Sequence, residues 1–183
     1  MRAFTARRSA DTPDELWLLE HPPVYTLGQA GRPEHLLRDN GIPLLRTDRG
    51  GQVTYHGPGQ VVAYVLLDLR RRGLTVKRLV CRLEQAVIDL LATHDVEGVR
   101  RAGAPGVYVE GAKVAALGLR VRGGCTYHGL ALNVNLDLAP FRDIDPCGYP
   151  GLAVTQLAEL GVALTPDAAA TALAQRLATQ LEG

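Results

Sequence analysis

Lysine is almost missing from this 183-residue chain: of its 20 basic residues, only Lys77 and Lys113 are not arginine. Arginine stays charged in any protein environment, so a site that needs an amine able to release its proton has only those two positions to draw on. Cysteine is nearly as scarce. Cys81, Cys125 and Cys147 form an odd set of three without a C-x-x-C pair, which excludes a disulfide framework. The five histidines, at 21, 35, 56, 94 and 128, lack zinc-ligand spacing, and no metal site is expected. Charge of one sign is missing too: 20 basic residues face 19 acidic ones for a formal charge of +1, so no nucleic-acid partner is expected. Apolar runs such as residues 61–67, broken by Tyr64, fall far short of the roughly 20 residues a membrane helix needs. No charged start, apolar stretch and small-residue cleavage site marks a secretory leader. The expectation is a cytoplasmic protein without a membrane partner.

What is present is ordinary for a globular chain: 46% hydrophobic and 21% charged residues, in a length that suits one domain with a real core. Residues 15–20, 24–27 and 43–46 read as short strands punctuated by His21-Pro22-Pro23 and other turn signals. A glycine-rich loop is expected from Arg49 to Gln60, and residues 61–69 read as a strand buried on both faces. Thr75 caps an expected helix to about His94, whose Val76, Leu79, Val80, Leu83, Val87, Leu90 and Leu91 keep a three-four spacing. Residues 107–109 and 113–121 flank Glu110-Gly111 as a hairpin, and 125–136 read as a further strand. Residues 154–160 and 166–181 read as helices, the second capped by Thr165 with Pro166 at its first position. Strands in the middle and helices at the end favour a single α+β domain.

Candidate chemistry is sparse. Cys81, inside the amphipathic helix, reads as a small buried or half-buried residue, and Cys125 as structural. Cys147 differs, because the prolines and glycines of Asp143-Ile144-Asp145-Pro146-Cys147-Gly148-Tyr149-Pro150-Gly151 forbid regular structure; its thiol is either a plain loop cysteine or a nucleophile held on a stiff turn. Lys113 opens the strand Lys113-Val114-Ala115-Ala116-Leu117-Gly118. It is either a strand-end lysine reaching solvent or an ammonium beside a thiol, where its charge favours the reactive thiolate. The glycine-rich loop lacks a phosphate-binding signature but permits close backbone approach to a ligand. His56 and His128 either line one cleft or are structural, hydrogen-bonded histidines. Arg70, Arg71, Arg72, Lys77, Arg78 and Arg82 are either a solvated face or a docking site for an acidic protein.

Four separated motifs now come into register: Arg49-Gly50-Gly51-Gln52-Val53-Thr54-Tyr55-His56-Gly57-Pro58-Gly59-Gln60, Gly111-Ala112-Lys113-Val114-Ala115-Ala116-Leu117-Gly118, His128-Gly129-Leu130-Ala131-Leu132-Asn133 and Pro146-Cys147-Gly148-Tyr149. With Glu20-His21-Pro22-Pro23-Val24 and Gly28-Gln29-Ala30-Gly31, the chain resembles the lipoyl(octanoyl) transferases, the lipoate-protein ligase B family, over about residues 4–160. The resemblance implies a single-domain α+β fold, a mixed β-sheet with packed helices like the catalytic domain of biotin and lipoate protein ligases. It implies that Cys147 takes an octanoyl group from octanoyl-acyl carrier protein as a thioester, with Lys113 lowering the thiol's pKa and assisting proton transfer. Arg49, Gly50, Gly51, Gln52, Val53, Thr54, Tyr55 and His56, with Ala116, Leu117 and Gly118 and with Gly129, Leu130 and Ala131, would line the acyl site. The acceptors would be lipoyl domains of 2-oxoacid dehydrogenase complexes and the glycine cleavage H protein, with no cofactor. Family members usually carry a strand and much of a helix before the segment matching 4–20, whereas this sequence begins inside that helix; exposed apolar surface near the first strand is expected if that part is trimmed. Two rival readings stand beside this one: an ATP-dependent lipoate or biotin ligase, and a non-catalytic acyl-binding protein.

Overall fold

Hydrophobic alternation sorts the chain into two sheets and two long helices. The computed structural model describes residues 1–145 and 151–182, so Cys147 lies outside the described residues. In chain order the elements are α1 (Arg2–Ala6), β1 (Glu15–Leu19), β2 (Val24–Leu27), β3 (Leu44–Arg46), β4 (Val53–His56), β5 (Gln60–Leu66), α2 (Val76–Ala92), β6 (Val99–Arg100), β7 (Gly106–Val109), β8 (Ala112–Arg122), β9 (Cys125–Asn133) and α3 (Pro166–Glu182). A six-stranded antiparallel sheet runs β1-β5-β9-β8-β7-β6, and a three-stranded mixed sheet runs β3-β2-β4 with β2 and β3 parallel.

The large sheet has two different faces because side chains alternate along each strand. One face presents Ala63, Val65, Ala115, Leu130 and Leu132 to Leu79, Leu83, Val87 and Leu90 of α2 and to Leu173 and Leu177 of α3. Each large side chain buried there contributes about 1.5–3 kcal/mol. The small sheet lies over the other face. Its own outer core joins Tyr25, Leu27, Val53 and Tyr55 to Phe141 and Ile144.

The expected elements hold with local exceptions. Thr75 caps α2 by accepting the Arg78 N–H. Cys81 is exposed rather than buried, because it lies midway between Leu79 and Leu83 and so projects away from the face they share. Cys125 is buried. The expected strand 61–69 stops at Leu66, where the Thr126 hydroxyl takes the Leu67 N–H and donates to Val65 O. The strand 125–136 stops at Asn133, because the Val134 and Asn135 N–H groups both turn to Gly59 O. The expected helix over 154–160 shrinks to a single 3-10 turn, Leu157–Leu160; the backbone before it is engaged with Lys113. Residues 53–56, read as loop, form β4 through pairing with β2.

The arginine cluster has a structural task. Arg8, Arg71 and Arg72 all place guanidinium groups on Asp14, whose side chain is 8% exposed, and Asp14 also accepts the Asp68 N–H. Arg71 and Arg72 are thus spent on tying the start of the chain to the segment after β5, at the opposite strand ends from Lys113. Removing one partner of a buried ionic group leaves the others uncompensated. Asp14→Ala is expected to lower the unfolding free energy by about 3 kcal/mol in urea titration, whereas Arg70→Ala, at an exposed position, should change it by less than about 0.5 kcal/mol.

Candidate active site

Between the two sheets lies a cavity of about 220 Å³. Its floor is the second face of the large sheet: Val62 and Tyr64 of β5, Ala116 and Gly118 of β8, and Gly129 and Ala131 of β9. Register places them in two rows, Val62–Ala131–Ala116 and Tyr64–Gly129–Gly118. Small residues there leave the backbone itself as the surface. A Cβ on Gly129 would come within 2.0 Å of Ala63 O, so only glycine fits that position. The roof is Val24 and Thr26 of β2, Leu45 beside β2, and Thr54 and His56 of β4. Arg49, Gly51 and Gln52 close one side.

The three histidines that enter this mostly apolar space are each hydrogen-bonded. His56 Nδ1–H donates to Gln60 Oε1 at 2.7 Å, and the Thr26 hydroxyl lies 3.3 Å from Nε2. Thr26 Oγ1 accepts from the Arg49 Nε and Nη2, so its own proton is free to point at His56 and the imidazole is neutral. Burial, opposed by the Gln60 hydrogen bond and aided by the nearby Arg49 charge, pushes the His56 pKa down to about 4. His21 shares a 2.7 Å hydrogen bond with Tyr64, and burial lowers its pKa. His128 Nε2–H donates to Asp48 at 2.9 Å beside the Tyr127 hydroxyl, which donates to the same carboxylate. Partial burial would raise Asp48, but these two hydrogen bonds and the Arg2 charge overcome it and hold the carboxyl at about 2. Burial nonetheless lowers the His128 pKa.

Lys113 stands at the inner corner of the cavity. A small recess lined by Lys113, Gln60 and Asn133 shares Thr54 and Ala116 with the main cavity. The strand-end reading with a solvent-reaching amine does not hold: Lys113 is 4% exposed, its Nζ donates to Pro105 O at 3.2 Å, and it lies 5.2 Å from the centre of the Tyr108 ring. Its backbone is bracketed by two hydrogen bonds, its N–H to Ala153 O and Thr155 N–H to its carbonyl.

Of the expected acyl-site residues, all but Gly50 and Tyr55 border the cavity. Tyr55 points into the outer core against Tyr25 and Phe141, the opposite side of β4 from Thr54 and His56. Gly50 is packed on β8, its N–H on Leu119 O at 2.9 Å. Leu117 and Leu130 contribute edge only, since their side chains belong to the helix-side core. His56 and His128 line the one cleft, joined there by His21 and Tyr64, while Asp48 holds His128 from beside it; no sequence motif marks these three partners as a group. Tyr64 left a signal, a lone hydroxyl inside an apolar strand. Among the described residues no group of three or more His, Cys, Asp or Glu is placed to hold a metal ion, and no helix is long and apolar enough to cross a membrane.

Comparison with known proteins fits this geometry. Residues 1–178 match the lipoyl protein ligase A/B catalytic domain. An octanoyltransferase of Thiobacillus denitrificans is 72% identical over 162 residues, covering 88% of this chain and 74% of that protein. Among solved structures, a bipartite lipoate protein ligase from Thermoplasma acidophilum, described with its E2 lipoyl domain, superposes with a TM-score of 0.80 at 17% identity, covering 99% of this chain and 76% of that one. The biotin protein ligase of Aquifex aeolicus in complex with biotin and ATP superposes with a TM-score of 0.61 at 17% identity, covering 86% of this chain and 70% of that one. Two sheets closing on an apolar cavity beside a buried lysine are thus the α+β fold of lipoate and biotin ligases, and the chain belongs to the lipoyl protein ligase A/B catalytic domain family.

Proposed function

We propose that this chain, acting as one catalytic domain, is an octanoyltransferase of protein lipoylation: it takes an octanoyl group from acyl carrier protein onto Cys147 and passes it to a lysine of a lipoyl domain, such as those of 2-oxoacid dehydrogenase complexes or the glycine cleavage H protein. The observation that carries the reading is the apolar cavity that shares Thr54 and Ala116 with the recess of the buried Lys113. Ala153 and Thr155, six and eight residues beyond Cys147 in sequence, hold the Lys113 backbone on both sides, which supports pairing the thiol with this amine.

The chemistry balances without an energy source. The Cys147 thiol gives its proton to Lys113 and attacks the carrier thioester; the carrier's C–S bond breaks and its sulfur leaves with that proton. The acceptor lysine's amine then attacks the new thioester, Lys113 takes the surplus proton, and the Cys147 sulfur departs as an amide forms. One thioester replaces another in the first step, and a more stable amide forms in the second. The ligase reading requires a free acid and a nucleotide instead. The 72%-identical octanoyltransferase, set against ligases at 17%, favours transfer.

Intact-mass measurement after mixing with octanoyl-acyl carrier protein should show one octanoyl increment on Cys147, absent in Cys147→Ala; an unmodified wild-type chain sinks the proposal. Lys113→Ala should slow acylation by about 100-fold or more, and Lys113→Arg should not rescue it, because a guanidinium does not give up its proton. A hydrocarbon chain also requires the cavity imidazoles to be neutral. With His56 near 6.5 when unfolded and about 4 when folded, the unfolded chain binds more protons within that window. Stability is therefore complete above pH 6.5 and falls by about 3 kcal/mol on the way to pH 4, with His21 and His128 adding in the same direction. Urea unfolding at stepped pH should show this loss, reduced in His56→Gln.

A further inference from the structure

His128 breaks the rules of the strand it occupies. Its neighbours at alternate positions, Thr126 and Leu130, are 0% and 2% exposed; Leu130 packs in the helix-side core, and strand alternation would send His128 to that same face. Instead its φ is +61°, a left-handed conformation that a side-chain-bearing residue adopts at a cost of order 1–3 kcal/mol. The turn throws the imidazole onto the cavity face. There it stacks on the adjacent Tyr127 ring at 5.1 Å and meets Tyr64 edge-on at 6.2 Å. Asp48 then locks it through the 2.9 Å hydrogen bond, and Asp48 is itself fixed by Tyr127. A strained backbone, a desolvated ring and a dedicated carboxylate are all spent on placing one imidazole in an apolar cavity.

Register shows where along the cavity it stands. The floor begins at the Ala116–Ala131 row, which adjoins the Lys113 recess, passes the Gly118–Gly129 row, and reaches Leu119 opposite His128. Three residues of strand span about 10 Å. An extended eight-carbon acyl chain spans about 9 Å from its carbonyl carbon to its methyl, given C–C bonds of about 1.5 Å in a zigzag. A chain whose carbonyl sits at the lysine end therefore brings its methyl up to the imidazole.

Resting on the transferase reading above, we infer that His128, clamped by Asp48 and Tyr127, is the end stop that sets the length of the acyl chain this cavity accepts. Glycine at this position would keep the left-handed backbone without strain and deepen the cavity by one ring, room for about two more methylenes at about 1.3 Å each. Asparagine, which also tolerates that region, shortens the side chain while keeping it polar.

The test is competition. The 183-residue chain is mixed with equal amounts of hexanoyl, octanoyl, decanoyl and dodecanoyl thioesters of acyl carrier protein, and the adducts on Cys147 are resolved by intact mass. The wild type should carry mainly eight carbons. In His128→Gly, the decanoyl-to-octanoyl ratio should rise by about tenfold or more, since each added buried methylene is worth about fourfold; His128→Asn should shift it in the same direction by less. Adducts whose length distribution is unchanged in either folded variant overturn the end stop alone. No adduct of any length on the wild-type chain overturns the transferase reading and the end stop with it.

Discussion

The site exists because one clasp holds the small sheet against the large one. Arg49 reaches across the turn before β4 and donates to Thr26 Oγ1, to Thr26 O at 2.6 Å, to Gln52 O at 2.7 Å and to Gly50 O at 2.9 Å. That leaves Gly50 oriented so that its N–H meets Leu119 O on β8 at 2.9 Å. The approach is too close for side chains: a Cβ on Gly50 would lie 3.0 Å from Leu119 O, and one on Gly118 would lie 3.0 Å from Gly50 O. A planar guanidinium with several fixed donors can bind carbonyls on two segments at once, whereas an ammonium acts as a single point. Without the clasp the roof loses this close backbone approach to β8, which narrows the cavity on that side.

A second set of bonds ties the cavity to the lysine. His56 donates to Gln60, Gln60 Nε2 donates to Asn133 Oδ1 at 2.9 Å, and Asn133 Nδ2 donates to Thr155 O at 2.9 Å. Thr155 N–H in turn donates to the Lys113 carbonyl at 3.0 Å. Gln60 and Asn133 are 2% and 4% exposed, so each amide left unpaired would cost the full desolvation of a buried polar group. The path crosses β4, β5, β9 and β8 and fixes their relative positions more sharply than apolar packing does. The cavity and the amine are thereby held in one frame, as the proposed attack on a bound carbonyl would demand.

Local patterns were readable in the sequence, and long-range ones were not. The three-four spacing of α2, its Thr75 cap and the Glu110-Gly111 hairpin depend on neighbours in the chain, and the structure has them. β4 was hidden inside a glycine-rich run, because only its pairing with β2, some 30 residues earlier, makes it a strand. That same pairing turns Tyr55 away from the cavity while His56 faces it, a distinction that a loop cannot express. Asp14 and Arg71 lie 57 residues apart, so the arginine cluster looked like a free face. The left-handed His128 has no local signature at all; Gly129 beside it marks only that something comes close.

Hydrophobic burial alone favours the longer chain. Each methylene moved from water into an apolar cavity contributes about 0.8 kcal/mol, so an open-ended tunnel would bind ten carbons better than eight, and twelve better still. Discrimination against shorter chains comes free with burial at about fourfold per carbon, but discrimination against longer ones needs a wall that does not give way. A flexible apolar side chain makes a poor wall, since it can change rotamer to admit another carbon. A ring fixed at its backbone by an unusual φ, at its tip by a charged hydrogen bond, and along its face by a stacked tyrosine has no such escape. The stability given up at His128 is of the same order as one or two methylenes of binding, and a rigid end is what that cost supplies.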